Sequence, residues 1–464
     1  MEFLKYIKDN TLLVVPNTLK QKVLEKLDVL NHFVNVKIMS MDELKRKIYF
    51  NYDLDAIIYL MNQYKIKIDV SKTYLENMYF LTSSSTSSSK LNELHRIKSE
   101  MFDLGLLKTS PLFPMFLKGK TAIFYGYDFY KLEDMRLIDE VKKYAPVQVL
   151  EKEVNPRRDL SVQVFEKVDD EVEYIINKMI YLHEQGISWN KFKIIGLDDT
   201  YKSIFSKFLE FFNIPLSLDT KVSLYETLIG KKVLSLHQKG YHFSDILKEL
   251  DDVDSTIKNK ILTIFNKYQR FLTAKASFYP LLEDEFKNVY LEEDGIDTEI
   301  KQASITNFFY EDGDYVFVIG FTNGRFPVVK KDEDYISNEL KKELGLTTTE
   351  EENEMSKNAL MNSLFGTQKI VITYSKHDYF NEYYPSTLIN DYGMKEVEEE
   401  EFLVHYSKTW DKIKLTKMLD DYLKFGIKHK DLEKLYSSVD IDYLTYDNRY
   451  TKIDNKSKAP YHDT

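Results

Sequence analysis

Two short apolar runs, Tyr-Val-Phe-Val-Ile at 315–319 and Lys-Ile-Val-Ile-Thr-Tyr at 369–374, limit what this chain can become. Each is rich in Val and Ile, and each leads into Gly, Thr or Ser at a turn. A run of this length without polar alternation is the pattern of a strand buried on both faces, which belongs in a parallel sheet covered by helices. A polar helical segment lies between the two runs, which is the crossover that parallel pairing needs.

The rest of the chain repeats that theme. Residues 12–15 form an apolar run closed by Pro16-Asn17, with a Lys-rich amphipathic segment after it, and 36–39 form a second run. Ser40-Met41-Asp42-Glu43 has the Ser-x-x-Glu spacing of a capping box, so a helix is expected to start at Met41. Residues 50–118 read as helical and Tyr-rich, interrupted by the Thr/Ser run at 82–89, which cannot bury apolar surface and reads as a loop. Strand character returns at 121–126 and 147–150, about a helix at 131–143. A βαβα pattern then runs from 161 to 212, helices alone fill 224–297, and strand character resumes at 302–306 before the opening stretch. The fold class expected is α/β. The domains expected are 1–155 with a helical insertion at about 50–118, 156–394 with an insertion at about 224–300, and a helical linker at 395–464. Within the linker, 395–401 (Lys-Glu-Val-Glu-Glu-Glu-Glu) reads as a solvated charge run.

Composition removes several chemistries. The 464-residue chain has no cysteine, which rules out disulfides, thiolate nucleophiles and Cys-bound zinc or iron-sulfur centres. The net charge of −11 argues against an undirected nucleic-acid coat, although a local basic groove can sit on an acidic protein. Only eight of the 64 basic residues are Arg, too few for a site built of several bidentate forks. No stretch approaches the roughly 20 apolar residues of a membrane span, and charges occupy residues 1–10 where a signal peptide would be apolar, so a cytoplasmic protein without membrane contact is expected. There is no His-Glu-x-x-His and no Gly-x-Ser-x-Gly. His377 reads as a surface residue, and the Tyr49, Tyr52, Tyr59 and Tyr64 stripe as a half-buried helix face.

Val316 to Pro327, a strand followed by Gly320, Gly324 and Pro327, resembles the Gly-x-x-x-Gly-x-x-Pro turn of superfamily 1 helicases of the UvrD type. Ile336-Ser337-Asn338-Glu339-Leu340 is similar to the Leu-Ser-Asp-Glu-Glu of that family. Glu350 to Leu364, the strand ending Thr373-Tyr374-Ser375, and Pro385-Ser386-Thr387-Leu388-Ile389 follow in the same order. Glu171-Val172-Glu173 and Ile214-Pro215-Leu216 are similar to the opening of the second motor domain, and Tyr125-Gly126-Tyr127-Asp128-Phe129 resembles a remnant of the Walker B region. Within this group the chain most resembles the B subunit of the AddAB helicase-nuclease and the RecB-family exonucleases with degenerate helicase domains. The resemblance implies two RecA-like parallel-sheet domains, each with a helical insertion.

ATP hydrolysis by such a motor needs a Gly-rich loop that opens a helix and carries a Lys and a Ser or Thr. The only match, Gly119-Lys120-Thr121, precedes a strand and has Pro114 where the first Gly should be. Asp128 stands alone where an Asp-Glu pair is needed and reads as a helix cap, and no Arg lies between Arg325 and Arg449 to reach a γ-phosphate. No hydrolysis, no catalytic residue, no cofactor and no metal site are expected in this chain. The resemblance also implies that a PD-(D/E)XK exonuclease domain, with its magnesium, follows the helicase-like part in a longer gene product.

The function expected is an ATPase-inactive, helicase-like DNA-binding scaffold in the repair of double-strand ends, engaging a junction of single strand and duplex and a partner helicase-nuclease subunit. The resemblance makes Thr322, Asn323, Gly324, Arg325, Thr373, Ser375 and Lys376 candidate contacts with the strand backbone. The same residues also have a structural reading, in which the glycines shape the turn and the hydroxyls cap. The alternative function is a protein-interaction subunit that docks a partner helicase without binding DNA.

Overall fold

In the computed structural model, residues 2–28, 34–81, 87–216, 218, 222–250, 253–269, 279–291, 299–303, 313–397, 406–429 and 432–438 are described. The first strand, β1 (Thr11–Val14), is wholly buried and is followed by a 3-10 turn, α1 (Lys20–Asp28) and β2 (Val36–Met39). α2 (Met41–Ile48) starts where the capping box places it: Ser40 Oγ accepts from Glu43 N at 3.3 Å, and Glu43 Oε2 accepts from Ser40 N at 2.9 Å. A helical insertion follows, made of α3 (Leu54–Gln63), α4 (Ile68–Met78) and α5 (Ser89–Asp103). It also holds a two-residue antiparallel pair, β3 (Asn51–Tyr52) with β4 (Leu107–Lys108), in a region whose pattern reads as helical throughout. The short α6 (Phe113–Leu117), then β5 (Thr121–Tyr125), α7 (Leu132–Lys142) and β6 (Val147–Leu150) complete the unit. Its four strands are all parallel, in the order β2-β1-β5-β6.

The Tyr stripe of the insertion is half-buried. Tyr52 donates to Glu76, while Tyr59 and Tyr64 both donate to Glu100. Part of the Ser run, 82–86, lies outside the described residues. Its end is tied down, because Ser87 binds Glu343 through N (2.7 Å) and Oγ (2.6 Å), and Ser88 caps α5. Asp128 does not cap the following helix. Its carboxylate is buried against Lys152, and the N-cap position of α7 is Lys131, whose N–H is taken by Asp134.

The second unit opens with β7 (Ser161–Lys167), α8 (Val168–Glu184), β8 (Phe192–Ile195) and α9 (Asp199–Leu209). An inserted segment follows, in which β9 (Val222–Ser223) pairs antiparallel with β10 (Tyr290–Leu291) around α10 (Leu228–Gln238), α11 (Phe243–Lys248), α12 (Ser255–Tyr268) and α13 (Tyr279–Asn288). The sheet resumes with β11 (Lys301–Gln302), β12 (Tyr315–Val318), α14 (Asn338–Leu344), α15 (Thr349–Gly366), β13 (Lys369–His377), α16 (Thr387–Tyr392) and β14 (Lys395–Val397). α17 (Lys408–Phe425) and α18 (Leu432–Ser438) follow. The six strands are parallel, in the order β11-β8-β12-β13-β7-β14. Helices cover both faces: α8 and α9 share a core with Ile194 and Phe317, and α15 and α16 share another with Val316, Val318 and Ile372. This is the α/β class with parallel sheets.

The start of the charge run is solvent-exposed but is a strand where a linker was expected. Lys395 to Val397 pair with β7 as an edge strand, and Glu396 accepts from Tyr374 at 2.7 Å. Charged residues on an edge blunt its tendency to recruit another strand. Residues 398–405 and 439–464 of the expected linker, and most of 302–306, lie outside the described residues.

The two units are latched together by polar contacts. Thr347 Oγ1 accepts from Leu132 N (2.8 Å), Arg136 Nη2 donates to the carbonyls of Leu344 (2.6 Å) and Gly345 (2.9 Å), and Lys131 pairs with Glu352 (2.8 Å). Ile336 and Leu346 are buried in the core of the first insertion. Asn362 accepts from Asn155 N at 2.6 Å and donates to Glu153 O at 3.0 Å. Asn362→Ala removes both bonds from a part-buried joint and is expected to cost about 1–2 kcal/mol. A lower thermal midpoint with an unchanged far-UV spectrum checks this.

Candidate functional site

All strands of the second sheet run the same way, so their carboxyl ends gather at one edge, which is where open α/β sheets place ligands. β8 ends at Ile195 and is followed by Gly196, at φ +92°, where a Cβ would stand 2.3 Å from Ile319 O. β12 ends at Val318 and is followed by Gly320, at φ +61°, where a Cβ would stand 2.0 Å from Arg325 Nη1. At Gly196 the obstacle is backbone and only glycine fits; at Gly320 it is the Arg325 guanidinium, and the left-handed φ favours glycine.

Between the strand ends lies Glu171, in the first turn of α8 and 0% exposed. Its Oε1 accepts from Gly320 N at 2.8 Å and Thr373 Oγ1 at 2.6 Å, and its Oε2 accepts from Tyr201 Oη at 2.6 Å. Ser375 Oγ stands 3.5 Å from the Tyr201 hydroxyl. Burial raises the Glu171 carboxyl above its ordinary range, while the donors Thr373, Tyr201, Gly320 and Ser375 pull it back. Burial, together with the neighbouring Glu171, also raises Tyr201 well above its usual value.

Arg325 closes the outer side of this cluster. Its Nη2 donates to Gly196 O at 2.5 Å and pairs with Asp198 at 3.0 Å, and its guanidinium lies 4.7 Å from the centre of the Tyr201 ring. Asp198 in turn caps α9 through Tyr201 N at 3.0 Å.

The candidate residues therefore divide. Thr373 and Ser375 are buried within β13, and their hydroxyls face the Glu171 cluster. Thr322 is buried, with its N–H 2.7 Å and its hydroxyl 3.3 Å from Gly320 O. Arg325 is turned inward. Asn323 and Gly324 are exposed at the tip of the turn, where Asn323 N donates to Tyr384 O at 2.9 Å. Lys376 is exposed and pairs with Glu166 of β7. His377, at the end of β13, is partly exposed.

A second feature at this edge has no counterpart among the residues singled out by sequence. The loop after β13 holds out Tyr379 (68% exposed), Phe380 (94%) and Tyr384 (71%). The loop is pinned: Asp378 accepts from Phe380 N (2.6 Å), Asn381 N (2.6 Å) and Tyr383 Oη (2.6 Å). Partial burial opposes its charge, but these donors dominate and hold its carboxyl down at about 2. Val328 and Val329 are exposed after the neighbouring turn. Exposed aromatic side chains on a fixed loop are characteristic of binding surfaces. The sequence signal was there in Asp-Tyr-Phe-Asn-Glu-Tyr-Tyr-Pro, an Asx turn carrying aromatics between a strand and a proline.

At the first sheet, the turn after β1 is Val15-Pro16-Asn17-Thr18-Leu19, without glycine. Pro16 has no N–H to offer a phosphate, and the Lys20 ammonium pairs with Glu43 at 2.7 Å. Gly119 and Lys120 form the turn leading into β5 and do not open a helix. Among the described residues, no group of three or more His, Asp or Glu could hold a metal ion, and no helix is long and apolar enough to cross a membrane. No protein-family model and no curated protein matches this chain.

Glu171→Ala strands the Gly320 N–H and the Thr373 and Tyr201 hydroxyls in the core, and is expected to cost about 3 kcal/mol or more, read from urea midpoints. The raised carboxyl also gives a pH signature. Because its folded value lies above the unfolded one, its stabilising contribution is complete below the ordinary glutamate range and is lost as pH rises through the folded value. Unfolding free energy measured upward from about pH 4.5 should carry this decline in the wild type and lack it in Glu171→Gln.

Proposed function

We propose that this chain is an ATPase-inactive, helicase-like DNA-binding scaffold, with its two parallel sheets as RecA-like domains, acting with a helicase-nuclease in the processing of double-strand ends. The observation that carries the proposal is the pinned aromatic rim of Tyr379, Phe380 and Tyr384 at the carboxyl edge of the second sheet, beside the exposed Asn323-Gly324 turn and Lys376. Aromatic faces accept any base, and stacking contributes about 1–3 kcal/mol per base. The rim therefore suits a single strand emerging from a duplex, with lysines such as Lys376 for the backbone. Two further features favour a scaffold over a motor. The turn after β1 lacks the glycines and the donor geometry of a phosphate cradle, and β5, next to β1, leads to Asp128, which is engaged by Lys152. On this reading the partners are DNA and a helicase-nuclease subunit. The exonuclease chemistry of a PD-(D/E)XK domain, with its magnesium, lies outside these residues.

The second reading, a subunit that docks a partner without binding DNA, is favoured by the charge pattern around the rim. Lys376, Lys330 and Lys207 pair with Glu166, Glu352 and Asp169, so phosphates would have to displace carboxylates. These pairs are exposed on the lysine side and worth little individually, which leaves displacement open.

A hairpin duplex with a single-stranded tail, followed by fluorescence anisotropy, separates the two. The scaffold reading expects a Kd of about 1–100 µM at physiological salt, falling in strength as salt rises. It also expects a loss of about tenfold or more when Tyr379, Phe380 and Tyr384 are changed to Ala together, and no thermal shift with ATP. Undetectable affinity at low salt would overturn it in favour of the docking subunit.

A further inference from the structure

A cavity of about 190 Å³ lies where α2, α7, the first insertion and residue 346 of the second unit meet. Its lining shares no residue with the rim just described, and at ~30 Å³ per water it has room for about six water volumes. Its apolar wall includes Tyr79, Phe80 and Leu346. Its charged lining is balanced, with Lys45, Lys131 and Arg136 against Asp42, Glu133 and Asp134. A lone cation or anion would unbalance it, whereas a neutral or zwitterionic guest would not.

Most of these charges are already engaged. Lys45 pairs with Asp42 and Glu76, Lys131 pairs with Glu352, and Glu133 accepts from Thr347 N at 3.2 Å. Two groups keep capacity. Arg136 uses only Nη2, on the Leu344 and Gly345 carbonyls, and among the described residues nothing takes its Nε or Nη1. Asp134 uses Oδ2 on Lys131 N at 3.0 Å, which leaves Oδ1. The cavity thus has one donor side, one acceptor side and an aromatic wall.

We propose that this cavity binds a small zwitterion with an apolar body, an amino-acid-like ligand. Its carboxylate would meet Arg136, its ammonium Asp134, and its side chain Tyr79 and Phe80. Burial disfavours the charged form of Asp134, and an ammonium beside it offsets that cost. The guest would lie against both α7 of the first unit and Leu346 of the second, so its binding tightens the latch between them. The proposal is independent of the DNA-binding reading, because it uses none of the same residues.

The test uses the full chain and three probes that share one phenyl body: L-phenylalanine, 3-phenylpropionate without the ammonium, and 2-phenylethylamine without the carboxylate. L-phenylalanine should give a saturable rise in thermal midpoint and a one-site isotherm, with the other two weaker by about tenfold or more each. Phe80→Ala and Arg136→Lys should each weaken L-phenylalanine by about tenfold or more with a native far-UV spectrum. No saturation by about 20 mM L-phenylalanine overturns the proposal, as does equal affinity for all three probes, or wild-type affinity in Phe80→Ala. If Arg136→Lys fails to fold because Arg136 also serves the latch, Phe80→Ala decides alone.

Discussion

The second unit is organised around one buried carboxyl group. Glu171 takes hydrogen bonds from the end of β12, from β13 and from α9, and itself belongs to α8, so one side chain joins four elements. A carboxyl in such a place is costly unless its oxygens are satisfied, and here each has a donor. The geometry it imposes reaches outward. Gly320 donates its N–H to Glu171, and the space a side chain would need there is filled by the Arg325 guanidinium, which folds over Tyr201 to meet Gly196 and Asp198. The turn 322–324 and the aromatic loop are then held to this base, through Asn323 N to Tyr384 O and through Ser386 N to Phe321 O at 3.1 Å. The rim is therefore presented by a rigid core, which lowers the ordering cost of binding to it.

Much of the frame was legible because it depends on local pattern. The Val and Ile runs gave β12 and β13, and Ser40 with Glu43 gave the start of α2, since each signal sits within a few residues of what it specifies. The Glu171 cluster was not legible in that way. The groups that donate to Glu171 lie 30, 149 and 202 positions from it in sequence, and no spacing rule links them to it. Glu171 was singled out only by resemblance, in Glu171-Val172-Glu173, and nothing in that motif says that its carboxyl is buried; in the structure it is one of three acidic residues in the first turn of α8.

Thr373 and Ser375 show how residues read as strand-exit contacts can lie in quite different surroundings. A Thr-Tyr-Ser at the end of an apolar run reads as a strand exit, where hydroxyls meet solvent or a ligand. β13 in fact continues to His377, beyond the register at which β12 ends beside Ile372, and it is flanked there by β7. The alternation of the strand then sends Ile372 and Tyr374 to the α15 side and Thr373 and Ser375 to the α8 side, where Glu171 waits. The charge run differs for a related reason. Lys395-Glu396-Val397 is solvent-exposed, as its composition implies, but the open edge of β7 offered backbone partners, so these residues form an edge strand where a linker was expected.

The latch between the units bears on what kind of machine this can be. A motor that works by opening and closing a cleft needs an interface that can be exchanged at low cost between two arrangements. Here the contacts that join α7 to the segment around Thr347, and Asn155 to Asn362, largely pair side chains with main-chain groups, and they come together with Ile336 and Leu346 in the core of the first insertion. Opening that joint would expose apolar side chains and strand carbonyls and N–H groups together, so no small ligand would drive it without a matching gain elsewhere. The proposed scaffold reading fits this build: the latch joins the two units, the Glu171 cluster holds the edge of the second sheet, and the aromatic loop is tied to that edge through Tyr384 O.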